Sequence, residues 1–210
     1  MPMREEYNFQ NAKKTQYIKS EVEKFLDSHR DVGFSAAKFE YAMYLEPEMS
    51  KKVVELVNSN FVQSEDDLKL EKIIVDATES DELLRLMRKP MSGTNRILFR
   101  EKIMEYESDL LALIKEKCIR IKQDIFIENA LYFFMNSKVN CCDWIMETYQ
   151  QFHSEYLKSM FCLVLGFRGD VGLIPFLMDE ARRMVKEYPD EYYDQGPVLA
   201  VQELVTRYLN

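Results

Sequence analysis

Apolar residues recur three and four positions apart along most of this chain, the period of a helix with one buried face. Tyr17, Ile18, Val22, Phe25 and Leu26 predict a first amphipathic helix over 12–29, ended by the turn Arg30 to Phe34, with residues 1–11 as a loose amino-terminal segment. Beyond it the pattern resolves into helix pairs over 35–45 and 48–61, 66–77 and 80–89, 94–105 and 108–121, 124–136 and 139–152, and 154–166 and 169–188. Breaks at Glu46-Pro47, Glu79-Ser80, Pro90 and Tyr188-Pro189 punctuate them. A last helix is predicted over 197–209, with Pro197 suited to its first turn.

The second helices of the pairs can be laid over one another. Ser50, Asp81, Asp109, Asn140 and Asp170 each precede an apolar run, at spacings of 31, 28, 31 and 30 residues. Ser, Asp and Asn are the residues whose side-chain oxygens accept from the free N–H groups at a helix start. A cap recurring at a constant phase is the mark of stacked hairpins, because one amphipathic hairpin cannot bury its apolar face alone.

Composition supports this reading. Six glycines and six prolines in 210 residues are too few for the turns of an all-β fold. Hydrophobic content of 47% with 30% charged residues belongs to a folded chain. The longest apolar run, Met160 to Leu165, is far short of the roughly 20 residues that span a bilayer, so no membrane partner is expected. The amino terminus has no apolar stretch resembling a signal peptide. The four cysteines include adjacent Cys141 and Cys142, which suits reduced thiols and a cytoplasmic setting better than a disulfide framework.

The segment 163–177 carries Leu165-Gly166 at the end of one helix, Gly169-Asp170 in the turn and Ile174-Pro175 at the start of the next. It resembles the HEAT-like repeat in its short form of about 30 residues. In the other pairs only spacing and apolar phase match. The resemblance implies an all-α, right-handed α-α superhelix of about five hairpins with terminal capping helices, one domain over 12–210. Second helices would line its concave side. It implies no single activity, since such proteins are mainly binding scaffolds.

Chemistry is sparse. Two histidines, His29 and His153, are too few for the di-iron branch of that family, and no His-Glu-x-x-His or Cys-x-x-Cys step is present. No metal ligand set, cofactor or catalytic residue is expected. Gly166 to Gly169 looks like a phosphate-clamping Gly-x-x-Gly only superficially, being a turn between paired helices. Charge is more informative. The net charge of −8 disfavours nucleic acid, whose affinity comes from Lys and Arg. Yet residues 85–122 are locally basic, with Arg85, Arg88, Lys115 and Arg120 as candidates for a patch facing an acidic partner or nucleic acid, against a plain solvated surface. Near the carboxyl end, Glu187, Asp190, Glu191 and Asp194 surround Tyr188, Tyr192 and Tyr193, a composition suited to a basic protein surface. Trp144 reads as a core residue before an exposed anchor.

The leading expectation is therefore a non-enzymatic protein-binding module, with an acidic antidote or adaptor for a basic protein as its specific form. The alternative is a nucleic-acid-binding protein resembling the DNA glycosylase branch of the HEAT-like family, with Trp144 or Tyr149 stacking on a base.

Overall fold

The computed structural model describes residues 12–29, 64–91 and 93–208, with side chains of the first helix from Ser20 onward. The expected pair over 35–45 and 48–61, the anchor Ser50 and the amino-terminal segment 1–11 lie outside the described residues. The described residues are all-α, with ten helices and no strand. These are α1 (Ala12–Ser28), α2 (Glu65–Asp76), α3 (Ser80–Leu86), α4 (Gly93–Glu105), α5 (Glu107–Arg120), α6 (Asp124–Asn136), α7 (Cys142–Thr148), α8 (Glu155–Arg168), α9 (Ile174–Glu187) and α10 (Gln195–Tyr208). Short 3₁₀ turns at Tyr149–Gln151 and Val171–Leu173 extend α7 and lead into α9.

Local chemistry explains several starts. Ser64 opens α2 with a reciprocal cap. Its hydroxyl accepts from the Asp67 N–H at 3.1 Å, while the Asp67 carboxylate accepts from the Ser64 N–H at 3.3 Å. Ser154 caps α8 by accepting from Leu157 N–H at 3.2 Å. Asn140 and Asp170 accept from the N–H groups of Cys142 and Gly172 at 3.0 and 2.8 Å. Asn140, however, lies one residue before the N-cap Cys141, and Asp170 caps the 3₁₀ turn ahead of α9, so neither caps the α-helix it was expected to open. Asp81 and Asp109 differ. They sit inside the first turns of α3 and α5, behind Glu79 and Tyr106, where a carboxylate favours the helix dipole without capping.

The first helices of successive pairs pack side by side in the order α2, α4, α6, α8, α10. They run parallel, because starts meet starts and ends meet ends. Asn95 near the start of α4 donates to Asp67 O near the start of α2 at 2.9 Å, and Lys102 near its end donates to Val75 O at 3.1 Å. Ser159 and Arg168 of α8 reach Tyr193 O just before α10 and Met135 O near the end of α6. The second helices α3, α5, α7 and α9 form the other layer, with α3 against α5.

The core lies between the layers. Phe99, Ile103, Phe126, Phe133, Phe134 and Phe161 are fully buried, each contributing about 1.5–3 kcal/mol by area burial. Helix α8 is buried from Leu157 through Gly166, which places the longest apolar run in the centre of the layer. Gly166 permits the close approach of α10, since a β-carbon there would sit 2.5 Å from Ala200 Cα. Val22 and Phe25 of α1 are buried, and the Arg182 guanidinium of α9 lies 5.8 Å from the Phe25 ring centroid. The first helix therefore meets the carboxyl-terminal hairpin. No described helix is long and apolar enough to cross a membrane.

Candidate functional site

A parallel row of hairpins has two edges, one holding the turns within pairs and the other the turns between pairs. At the first edge the carbonyl ends of the first helices gather, and cations are drawn there. Arg168 donates to Met135 O at 2.8 Å, Arg207 donates to Phe167 O at 2.8 Å and to Gly166 O, and Asn140 Nδ2 donates to Arg168 O at 3.1 Å. Glu107 fixes the turn after α6, accepting from the Ser137 hydroxyl and from Lys138 N–H at 2.7 Å. Burial pushes the Glu107 carboxyl up, but the Ser137 hydroxyl, the Lys138 and Val139 N–H groups and the Lys138 charge together hold it below its ordinary value. These charges are committed to holding the row together.

The opposite edge is different. The turn after α3 brings Arg88 and Lys89 beside the end of α5, where Gln123 Nε2 donates to Arg88 O at 2.9 Å. Arg88, Lys89, Arg120 and Lys122 are all exposed there. The Arg88 guanidinium leans on Phe126 with 5.8 Å to the ring centroid. Further along the same edge comes the loop from α9 to α10. Asp190, Glu191 and Tyr192 are exposed, and Tyr192 stands 68% exposed with φ 55°, the one positive φ outside glycine among the described residues. The loop is pinned on either side of that ring. Tyr193 O accepts from the Ser159 hydroxyl at 2.6 Å, and the Tyr193 ring meets Tyr188 edge-on at 5.7 Å. Burial, then the Glu191 and Asp124 charges, push the Tyr193 phenol up.

Of the residues singled out from sequence, Arg88 and Arg120 share the exposed basic edge, and Tyr192 and Tyr193 share the acidic loop. Lys115 and Trp144 meet each other instead, the ammonium 5.0 Å from the ring centroid. Trp144 also stacks on Phe134 at 5.4 Å and meets Phe152 and Phe161 edge-on, so its ring is mostly core. Arg85 is exposed on α3, its Nε donating to Asp81 O at 3.1 Å. Tyr149 is 2% exposed, its hydroxyl donating to Glu180 at 3.0 Å.

One cluster escaped sequence reasoning. Arg183 of α9 contacts Glu155 at 2.6 Å, Glu180 at 2.9 Å and Glu187 at 2.8 Å, while Lys158 contacts Glu155 at 2.8 Å. Burial alone would lower the Arg183 pKa, but the three carboxylates raise it. The same bonds hold Glu155 below its ordinary value although burial opposes them. The spacings 155/158, 180/183 and 183/187 are the helical pairings that signal half of it. The link between α8 and α9 has no local signature.

All four thiols are buried, and burial pushes Cys142 up to about 11 and Cys162 up to about 12, which keeps both protonated at neutral pH. Among the described residues no three His, Cys, Asp or Glu side chains are grouped to hold a metal ion. No family model, curated protein or solved structure matches the chain.

Proposed function

We propose that this chain is a non-enzymatic, HEAT-like helical-repeat module that binds a basic protein, as an antidote or adaptor, with the partner held along the second-helix side and its rim. The observation that carries the reading is Tyr192. A non-glycine residue in the left-handed region costs roughly 1 kcal/mol, and its exposed ring recovers little of that by packing. Strain of this kind in a loop pinned on both sides presents an aromatic ring, inside an acidic surround, to an incoming surface. The parallel row of hairpins supports the superhelical reading, and the −8 charge supports a basic partner.

The nucleic-acid reading draws on the exposed Arg88, Lys89, Arg120 and Lys122. It is the weaker one. Tyr149 is buried, Trp144 is packed among phenylalanines under Lys115, and the acidic loop shares that edge.

The test is affinity capture from source-cell lysate with a salt gradient, a nuclease-treated arm, and a second bait carrying Tyr192→Ala, Asp190→Asn and Glu191→Gln. A basic protein released by salt, indifferent to nuclease and lost from the loop variant supports the proposal. Retention by both baits, or recovery of nuclease-sensitive nucleic acid, contradicts it.

A further inference from the structure

A cleft of about 50 Å³ opens on the basic edge between the 89–91 turn and the starts of α4 and α6, walled by Lys89, Pro90, Met91, Arg96, Glu128 and Asn129. Its size decides what fits. Metabolite pockets run to roughly 300–1,000 Å³, whereas this space holds a few waters or one terminal group. Its walls are fixed. Asn129 Nδ2 donates to Met87 O at 3.0 Å inside the core, and Gln123 closes the same turn through Arg88 O at 2.9 Å. Lys89 is exposed, Arg96 and Glu128 are half-buried, and none of the three makes an ion pair among the described residues. Two cations and one carboxylate thus border a preformed space without neutralising one another.

We propose that this cleft seats the carboxylate of one acidic side chain from a peptide ligand, gripped by Arg96 with Lys89 above it. A guanidinium matches a carboxylate in bidentate geometry and an ammonium adds a point charge. Glu128 sets the selectivity. It cancels one of the two cations and leaves a net +1 seat, where a phosphate dianion gains about twice the attraction of a carboxylate but costs about four times the desolvation, since that cost goes as the square of the charge. The assignment is independent of the partner of the acidic loop and stands or falls without it.

The test is a nitrogen-15 NMR titration of the full chain at low salt with acetyl-Gly-Glu-Gly-amide, its Gln counterpart and inorganic phosphate. The Glu peptide is expected to shift the Arg96 Nε–H and Asn129 side-chain amide signals saturably, with Kd on the order of 1 mM, while the Gln peptide does not. Arg96→Gln weakens that binding by about tenfold or more, and Glu128→Gln tightens it by about threefold. Both variants change half-exposed side chains, and dispersed spectra confirm that they fold. Opposite signs at the two positions separate a charge-reading seat from a merely structural one. The proposal is overturned by unsaturable shifts, by an equal response to the Gln peptide, by unchanged binding in Arg96→Gln, by weaker binding in Glu128→Gln, or by phosphate binding more tightly than the Glu peptide.

Discussion

At the scale of single residues, two positions separate backbone strain from packing. Tyr192 adopts φ 55°, where a β-carbon crowds the following carbonyl. Tyr192→Gly is therefore expected to leave stability unchanged or raise it by up to about 1 kcal/mol in urea unfolding, while capture of the partner falls about tenfold. A loss of stability above about 1 kcal/mol would show that the ring packs in the folded loop. Gly166 tests the opposite case. A β-carbon there meets Ala200 at 2.5 Å, so Gly166→Ala should cost about 1–3 kcal/mol by forcing α8 and α10 apart. An unchanged urea midpoint would contradict the close approach of these helices.

At the scale of elements, one link between hairpins and one within the α8/α9 hairpin depend on carboxylates, Glu107 and Glu155, both held below their ordinary values. A carboxyl with a depressed folded pKa contributes stability that is fully present above the unfolded value, about 4.3, and is lost as pH falls through the folded one. Urea midpoints measured from pH 7 downward should hold until about pH 5 and then fall. Glu107→Gln should flatten part of that acid slope, and an unaltered slope would remove Glu107 from the account.

The helices themselves were legible in the sequence, because periodicity and caps are local. The pair expected at 124–136 and 139–152 appears as Asp124–Asn136 and Cys142–Gln151, while Asn140 and Asp170 accept N–H bonds just ahead of the helices they were expected to cap. Asp81 and Asp109 were misplaced by a turn fraction, because each helix begins slightly upstream of its acidic residue. The site was legible only in part. Acidic tyrosines in the 188–194 loop are visible in composition, but the φ of Tyr192 is not. Lys115 reads as patch surface until the fold sets it over Trp144, and Arg183 meets Glu155 across 28 residues. Such contacts depend on which helices become neighbours, and no local rule supplies that.

At the scale of the whole molecule, charge is sorted by edge. Cations at one edge are spent on helix carbonyls, as Arg168 and Arg207 are, while the other edge exposes a basic middle beside an acidic loop. Association with a basic partner should therefore weaken steeply with salt, since exposed charges are screened beyond about 8 Å at physiological ionic strength. Titration calorimetry at low and high salt checks this, and salt-independent affinity would count against the acidic loop as the contact.

A protein partner held at the edge carrying the 188–194 loop would shield that loop from solvent. Amide hydrogen exchange of the chain with and without its captured partner tests it most directly. New protection is expected over 188–194 and along the adjoining second helices, with the row of first helices unchanged. Protection confined to the row of first helices, with the loop exchanging as freely as before, would place the partner elsewhere.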